Sequence, residues 1–450
     1  MRQMQDLPED GFAKFLHALT EPPQAGIRAN GLKITPSELE SLLLDLERVP
    51  WCADGFYMPP VFRAGKSPLY HAGLYYIQEP SAMSAVEALG VCPGDKVLDL
   101  CAAPGGKSTQ LASALGGGSV LVCNDVSRSR LKALVKNLEL AGAINTVVTC
   151  EEPRRLSRVF SQYFNKILID APCSGEGMFR KDKDVQKAYS DQKVEAFARL
   201  SKEILECASL MLAPGGRLLF STCTFNKTEN EDTAEDFLAR HPDFYPVEID
   251  IPGGEEFERG FGRHGEYFRR LFPHRVRGEG HFLALFEREG ALPDNRAFCA
   301  QQSFRKPTKG QYHALRTFEE DALYQDALLN MGDVFAMGDT LYSLSLPRGF
   351  PPLEGVRLVK TGLRLGEVRG AHFLPGQALA MALTKSDANY TVDFDHTSTQ
   401  VIKYLKGDTL ELGGAQQGWV LVCTQGHPLG WAKARDGTLK NKYNRHWLME

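Results

Sequence analysis

The chain has 450 residues, enough for roughly three domains of about 150 residues with separate cores. Hydrophobic residues make up 43% of it and charged residues 24%, as in ordinary globular proteins, so the composition indicates neither disorder nor a membrane protein. The formal net charge of −4 excludes a uniformly basic nucleic-acid binder, although a local basic face could still contact RNA.

The N-terminus and the cysteines narrow the class further. No apolar run approaches the roughly 18 residues of a spanning helix, and MRQMQDLPEDGF carries charges and Pro8 where a signal peptide needs an apolar core. We therefore expect a cytoplasmic protein without a membrane partner. The ten cysteines include no CxxC pair, so we expect neither a metal site nor a secreted disulfide framework.

Strand-like and helix-like patterns alternate between residues 97 and 288. Short apolar runs separated by amphipathic helices predict a parallel sheet covered on both faces, an α/β fold. The APGG at 213–216 is interpreted as a turn that ends a helix. The predicted strands are 97–100, 119–126, 145–150, 166–173, 216–225 and 281–287, and the predicted helices are 107–115, 130–143 and 192–212.

The flanking segments give coarser signals. Residues 1–75 combine a helical start with a turn-rich GIRANGLKI, residues 291–370 suggest a small α/β domain, and residues 371–450 contain short β-like pieces and a basic tail. We expect one domain in each segment and a central domain over residues 76–290.

Reactive and polar side chains stand at the ends of four predicted strands. Asp99, Asp125 and Cys173 end three of them, and Cys223 lies in STCTF at the end of another. The TENE that follows predicts a capping box on Thr228, so a helix should start just after it, with Cys223 in the loop before. Ligands of open α/β sheets bind at the carboxyl ends of strands, which predicts one shared site.

The first turn of the sheet, in LDLCAAPGGKSTQLA (98–112), bears on the cofactor. It lacks the G-x-G-x-x-G of a dinucleotide site, and Cys101 stands where a phosphate loop needs its first glycine, which argues against a nucleoside triphosphate. The glycine pair 105–106 allows close approach, and Asp125 could accept hydrogen bonds from two ribose hydroxyls. Glu152 is placed to meet an adenine edge. This site suggests S-adenosylmethionine; the alternatives are a helix cap for Asp125 and an exposed loop acid for Glu152.

Three motifs together resemble the Sun-type family of RNA cytosine-carbon-5 methyltransferases. They are CAAPGGK (101–107), DAPCSGEG (170–177) and STCTF (221–225), in the family's order and spacing. GIRANGLK and the C-terminal GWAKARDGTLKNKY resemble the bacterial methyltransferase F-like branch, which acts on small-subunit ribosomal RNA, so the resemblance covers most of the chain. An adenine-amino methyltransferase would carry [ND]PP[YF] where this chain has DAPC.

The resemblance implies a class I methyltransferase with a doubly wound, mostly parallel, Rossmann-like sheet. It adds an N-terminal RNA-binding extension and C-terminal ferredoxin-like and PUA-like domains. The implied cofactor is S-adenosylmethionine, and the implied partner is 16S ribosomal RNA or the 30S subunit; we expect a monomer. With Asp125 and Glu152, the residues expected to bind the cofactor are Cys101, Ala102, Ala103, Pro104, Gly105, Gly106, Lys107 and Asp170.

Carbon 5 of cytosine is a poor nucleophile, and a thiolate that adds to carbon 6 activates it. The resemblance makes Cys223 this nucleophile and Cys173 the second cysteine, which assists breakdown of the adduct; the residues alone do not rank the two. Uridine-carbon-5 enzymes use one cysteine, so the pair favours cytosine. The resemblance also places Asp170 near the cofactor and the base, and Lys107 in the active site. The alternatives are buried structural cysteines and an ordinary surface lysine.

Basic segments predict the contacts with RNA. The stretch RGFGRHGEYFRRLFPHRVRG (259–278) interleaves arginines with aromatic residues, which suits phosphate contact and base stacking. Three cations beside Cys173 could also meet phosphates: Arg180, Lys181 and Lys183. The tail 433–446 could do the same, and it resembles the end of the PUA-like domain. The alternatives are core aromatic residues and a solvated approach to a helix.

Other functions stay open at this level. The catalytic motifs do not name the RNA, so transfer RNA is an alternative substrate. A ribosome-assembly factor on an inactive methyltransferase fold is a second alternative, which the intact catalytic residues disfavour. A third is redox chemistry, since two thiols on neighbouring strand ends could form a disulfide under oxidation.

Overall fold

The computed structural model describes residues 9–59, 61–116, 119–292, 304–324, 327–328, 331–347, 349–411, 413–414 and 416–449. Within these ranges four sheets form, and no helix is long and apolar enough to cross a membrane. Pro8, used above in the prediction about a signal peptide, lies outside the described residues.

The first unit has one small sheet. Its elements are α1 (Glu9–Ala18), β1 (Gly26–Ala29), α2 (Pro36–Leu42), β2 (Glu47–Arg48), β3 (Gly55–Tyr57), α3 (Pro68–His71) and β4 (Tyr75–Gln78). The strands are antiparallel, in the order β2-β3-β1-β4. Thr35 and Glu38 start α2 with a reciprocal capping box. The expected domain boundary at 75/76 falls inside β4.

The central unit contains every predicted strand and helix of the α/β segment. Its elements are α4 (Pro80–Leu89), β5 (Lys96–Asp99), α5 (Gly106–Leu115), β6 (Val120–Asn124), α6 (Leu131–Ala141), β7 (Thr146–Thr149), α7 (Pro153–Val159), β8 (Phe164–Asp170), α8 (Lys183–Lys187), α9 (Asp191–Met211), β9 (Leu212–Thr222), α10 (Glu231–Arg240), β10 (Phe244–Val247), β11 (Glu258–Arg259), β12 (Arg269–Leu271) and β13 (His281–Arg288). The strands β7-β6-β5-β8-β9 are parallel neighbours, and β13 is antiparallel to β9. The APGG segment is part of β9 and not a separate turn; the pairing with β8 shifts register there.

Both faces of this sheet are buried. Val97 and Leu98 are neighbours in β5, are fully buried and belong to different apolar clusters. Because successive side chains of a strand point to opposite faces, one cluster lies on each side of the sheet. Helices α4, α5 and α6 cover one side, and α7, α9 and α10 cover the other. The continuous apolar runs of the sequence thus reflect two-sided burial.

The predicted capping box on Thr228 was wrong. Helix α10 begins at Glu231, with Asn230 as its N-cap and no side-chain cap hydrogen bond. Asn230 instead accepts a hydrogen bond from Thr222 Oγ1 at 2.5 Å, and the Glu231 carboxylate pairs with buried Arg270. Tertiary contacts therefore engage the polar side chains that the local pattern assigned to the cap.

Two further units follow. Their elements are α11 (Lys309–Ala322), β14 (Asp333–Met337), β15 (Thr340–Leu344), β16 (Leu358–Thr361), β17 (Leu363–Arg369), β18 (His372–Pro375), α12 (Gln377–Ala382), β19 (Thr391–Phe394), α13 (Thr399–Leu405), β20 (Leu410–Glu411), β21 (Gly418–Thr424), β22 (His427–Arg435) and β23 (Thr438–Asn441). The sheets have the orders β14-β15-β17-β18 and β19-β21-β22-β23-β20. The third unit's order of helix, strands and helix differs from the β-α-β-β-α-β order of a ferredoxin-like domain. The expected boundary at 370/371 falls between two paired strands, β17 and β18.

One strand of the third unit completes the central sheet. Strand β16 pairs antiparallel with β7, and Cys150 N donates to Arg357 O at 2.9 Å just beyond that pairing. The Lys360 ammonium is buried against Thr146 Oγ1 and Gly362 O, and burial lowers its pKa to about 8. The third unit is thereby fixed to the edge of the central sheet.

Candidate active site

The side chains predicted at strand ends meet at one edge of the central sheet. Asp99 and Asp170 are the last residues of β5 and β8, and Asp125 follows β6 directly. Cys223 follows β9 directly, and Cys173 lies in the loop after β8. Because these strands are parallel, their carboxyl ends share one edge.

A cavity of about 180 Å³ opens beside this edge. The CAAPGGK turn forms one wall, and β4 with the start of α4 forms another. Gly105 has φ of 112°, and a Cβ on Gly106 would lie 3.1 Å from Tyr76 Cε1, so the glycines let the turn approach the opposite wall. The lining residues are Tyr76, Ile77, Gln78, Glu79, Ala82, Asp99, Cys101, Ala102, Ala103, Pro104, Gly106, Lys107 and Asp170.

Arg28, of the first unit's GIRAN, holds the two walls together. Its side chain is 2% exposed and donates hydrogen bonds to Gly106 O at 3.0 Å and Thr109 Oγ1 at 2.9 Å in α5. It also donates to Gln110 Oε1 at 3.1 Å and to Gln78 Oε1. Burial lowers the pKa of Arg28 from its usual value. One buried guanidinium thus links the first unit to the glycine turn.

Asp170 and Lys107 form an ion pair on the cavity wall. Lys107 Nζ lies 2.8 Å from Asp170 Oδ2, and Ser221 Oγ donates to Asp170 Oδ1 at 3.2 Å. Burial acts to raise the pKa of Asp170, but the charge of Lys107, the neighbouring His281 and the hydrogen bonds from Lys107 and Ser221 together outweigh it and hold this pKa below its usual range. The Asp170 side chain is 35% exposed, so an ionised carboxylate faces the cavity.

Two further titratable groups adjoin this pair. Ser108 Oγ donates to Asp99 Oδ2 at 2.6 Å, while within the described ranges Asp99 Oδ1 is buried without a hydrogen-bond partner. Burial raises the pKa of Asp99 to about 7. His281 Nε2 lies 3.8 Å from Asp170 Oδ1, and burial, with the charge of Lys107, lowers the pKa of His281 to about 4. The histidine is therefore neutral.

Three predicted cofactor residues lie outside the cavity lining: Gly105, Asp125 and Glu152. Asp125 is 3% exposed; its carboxylate accepts from Ala103 N at 3.3 Å and from Ser127 N at 2.8 Å, so it anchors the glycine turn and caps the next segment. Glu152 is exposed at the N-cap of α7. Its neighbour Glu151 is buried instead and accepts a hydrogen bond from Arg357 N at 2.8 Å.

The two predicted thiols are adjacent. Cys173 Sγ lies 3.4 Å from Cys223 Sγ, and both cysteines are free and partly buried. The hydrogen bond with Cys223, followed by burial, raises the pKa of Cys173 well above its usual value. Cys173 therefore keeps its proton and can donate it in a hydrogen bond to the Cys223 sulfur.

Comparison with known proteins assigns the family. Residues 86–287 match the family model "16S rRNA methyltransferase RsmB/F". Ribosomal RNA small subunit methyltransferase F of Shewanella loihica is 32% identical, over 98% of this chain and 92% of that protein. The chain belongs to the small-subunit ribosomal RNA methyltransferase F family. The Klebsiella pneumoniae member is also 32% identical, over 98% of this chain and 93% of that protein.

The other family matches follow the structural units. Residues 1–80 match the RsmF N-terminal domain, 317–383 match the first RsmF C-terminal domain, and 391–449 match the RsmF PUA domain. The solved methyltransferase homolog from Pyrococcus horikoshii is 29% identical, with a TM-score of 0.54 over 61% of this chain and 90% of that one. The Rossmann-like methyltransferase fold with a PUA domain is therefore confirmed.

Within this family member, part of the predicted stacking stretch 259–278 belongs to the core, whereas Arg259, Arg263, Arg275 and Arg277 are exposed. Phe268 and Phe272 are at most 1% exposed and belong to the core. Arg270 is equally buried, with Nε 2.6 Å from Glu231 Oε1. The Arg180 side chain is also buried, in an ion pair with Glu279 at 2.7 Å, whereas Lys181 and Lys183 beside it are exposed. Arg180 and Arg270 hold loops together and do not present charge to RNA.

The C-terminal tail does carry an exposed basic cluster. Lys433 and Lys440 are exposed and directly opposite each other on β22 and β23. Burial, then the charges of Lys440, Lys433 and Arg445, lower the pKa of Lys442. Like charges directly opposite each other on neighbouring strands destabilise a sheet. A cluster of exposed lysines in this arrangement is typical of a surface that binds an anionic partner.

Sequence reasoning missed residues that the fold brings to the site. Arg28 and Gln78 come from the first unit. His281 is the first residue of β13, and Glu229 lies in the loop before α10. Only Arg28 had a signal, as part of a motif that resembled the family. The others lie in segments whose local pattern gave no chemical indication.

Proposed function

We propose that this chain transfers a methyl group from S-adenosylmethionine to carbon 5 of a cytosine in 16S ribosomal RNA, through a covalent adduct with Cys223. The observation that carries the proposal is the pair of free thiols 3.4 Å apart, beside the Asp170–Lys107 pair on the cavity wall. Membership of the methyltransferase F family supports ribosomal RNA, free or in the 30S subunit, as the substrate and the cytoplasm as the location.

The residues around the cavity fit S-adenosylmethionine, which when bound supplies an electrophilic methyl group. The cavity wall of residues 101–104 and Gly106 offers backbone close to a ligand. The buried Asp99 Oδ1 lacks a partner among the described residues, so it suits a cationic amino group. Asp125 is held at the turn by Ala103 N and could take up ribose hydroxyls. Among the described residues, the lining contains no arginine and no phosphate-loop pattern that would favour a polyphosphate.

Asp170 and Lys107 prepare the cytosine. Addition of a thiolate at carbon 6 places negative charge on N3 and O2 of the ring, and a proton delivered to N3 neutralises it. Lys107 Nζ and Asp170 Oδ2, 2.8 Å apart, hold a proton next to the cavity and can relay it to the base. An ionised Asp170 also accepts a hydrogen bond from the 4-amino group, which distinguishes cytosine from uracil.

The two thiols divide the covalent steps. The Cys223 thiolate forms the bond to carbon 6, and carbon 5 then takes the methyl group. A base removes the proton from carbon 5, and that electron pair restores the carbon 5–carbon 6 double bond. The carbon–sulfur bond breaks with its electrons on Cys223, and the proton taken up at N3 returns to the Asp170–Lys107 pair. The proton that Cys173 retains stabilises the departing thiolate by a hydrogen bond.

The first experiment is nucleoside mass spectrometry of small-subunit ribosomal RNA and transfer RNA after incubation with the chain and S-adenosylmethionine. The Cys223→Ala variant is the control. The proposal expects 5-methylcytidine in small-subunit RNA only, and none with the variant. Product confined to transfer RNA would overturn the substrate, and RNA binding without any product would favour an assembly factor.

A further inference from the structure

Each thiol lies in its own loop, and an acidic side chain from the Cys223 loop contacts the loop of Cys173. Glu229 lies in the loop after Cys223, but its carboxyl contacts Ser174, the residue after Cys173. Ser174 N lies 2.7 Å from Glu229 Oε1, and Ser174 Oγ lies 2.5 Å from Glu229 Oε2. Both contacts are buried, so water does not replace them readily.

A second acid makes the reciprocal contact. Glu176, from the loop after Cys173, accepts hydrogen bonds from Thr224 Oγ1 at 3.0 Å and Phe225 N at 2.9 Å, both just after Cys223. The hydroxyls of Ser174 and Thr224 meet at 2.8 Å between the acids. The two loops are therefore joined by a buried line of four oxygens: carboxyl, hydroxyl, hydroxyl, carboxyl.

If all three oxygen–oxygen contacts of this line are hydrogen bonds, one of the two acids is neutral. Three oxygen–oxygen contacts need three protons, but the hydroxyls of Ser174 and Thr224 supply two. The third must reside on a carboxyl. The contact of Glu229 Oε2 with Ser174 Oγ, at 2.5 Å, is shorter than that of Glu176 with Thr224, at 3.0 Å. Burial also raises the pKa of Glu229 to about 7, so we assign the third proton to Glu229. With the proton there, the Glu229 hydroxyl donates to Ser174, Ser174 to Thr224, and Thr224 to Glu176; with both acids ionised, Ser174 would donate to Glu229 and the contact between the two hydroxyls would hold no proton.

We propose that Glu229 is a positioning residue whose protonated carboxyl joins the loops of Cys173 and Cys223 and sets the spacing of the two thiols. The inference rests on the proposed function, because the spacing matters when the adduct breaks down. If Ser174 loses its anchor, Cys173 moves away from the departing sulfur. Adduct should still form at Cys223 and then persist.

The test compares Glu229→Gln with Glu229→Ala, using Cys173→Ala as the reference. Glutamine is neutral and keeps both contacts, since its carbonyl accepts from Ser174 N and its amide donates to Ser174 Oγ; this variant should turn over like the native chain. Alanine removes both contacts and should lower turnover about 100-fold, the typical effect of misplacing a reacting group by an ångström. The alanine variant should also accumulate covalent enzyme–RNA adduct, as Cys173→Ala should.

Controls separate the possible failures. Asp232→Ala, which removes an exposed partner of Lys227 next to the same loop, should behave like the native chain, and S-adenosylmethionine affinity reports folding. Ser174→Ala breaks the same line of oxygens without leaving a buried charge and should also accumulate adduct. A glutamine variant as slow as alanine, or an alanine variant without excess adduct while Cys173→Ala shows it, would overturn the inference. No adduct in any variant and no product in the native chain would remove the proposed function instead.

Discussion

Replacing Arg28 by methionine should weaken cofactor binding from outside the central unit. The substitution leaves Gln78 Oε1 and Gln110 Oε1 without the guanidinium donor, and both side chains are buried, with 7% and 4% exposed. Each orphaned acceptor costs about 1–3 kcal/mol, and removing a buried charge returns part of that, so the net loss is about 2–4 kcal/mol. If half of this loss falls on the bound state of the cavity, S-adenosylmethionine affinity drops at least about fivefold.

Titration calorimetry of the full chain with S-adenosylmethionine measures this effect, and urea unfolding measures the rest. Arg48→Met is the matched control in the same unit, because Arg48 is 47% exposed and its ion pair with Glu40 is a surface one. The control should leave the dissociation constant unchanged. An Arg28→Met chain with native affinity and native resistance to urea would refute the role of Arg28 as the link between the cavity walls.

Three other predictions concern charge. Because burial raises the pKa of Asp99 to about 7, its carboxylate is lost as pH falls through that value, so S-adenosylmethionine should bind up to about tenfold more weakly per pH unit below it; a flat calorimetric profile, or one unaltered by Asp99→Asn, would contradict this. Lys107→Met should lower turnover about 10²–10³-fold with RNA affinity retained. Steady-state methylation kinetics measure this, and a change in KM with an unchanged turnover number would contradict the prediction. Lys433→Gln with Lys440→Gln and Lys442→Gln should reduce the slope of log affinity against log salt by about two, whereas Lys385→Gln, already paired with Asp393, should not.

The local pattern of the sequence determined the catalytic sheet and the ends of its strands. Continuous apolar runs predicted strands buried on two faces, and the structure places β5 to β9 where those runs lie. Cys173 and Cys223 were placed on strand ends for the same reason, since a strand's end depends on its own residues. Three short motifs at these strand ends, 101–107, 170–177 and 221–225, were enough to show the resemblance to the family.

The partners of those residues depended on the tertiary structure. Arg28 reaches Gly106 across 78 positions, and Glu229 reaches Ser174 across 55. The alternation of a strand or the spacing of a helix predicts which face a side chain lies on, but not which distant chain packs there. Even the TENE sequence favoured a cap locally, while the fold assigned Glu229 to Ser174 and Glu231 to Arg270.

The same reason explains the buried part of the basic stretch at 259–278, around Arg270. Alternating arginines and aromatic residues occur both on RNA-binding surfaces and in cores that contain buried ion pairs, because both combine cations with aromatic rings. Buried acids such as Glu231 decided between them by neutralising Arg270 inside the protein. The sequence alone determined which reactive residues this chain carries and at which strand ends they lie. Only the tertiary structure decided which charges are available to a substrate, because burial and pairing depend on residues brought together from distant parts of the chain.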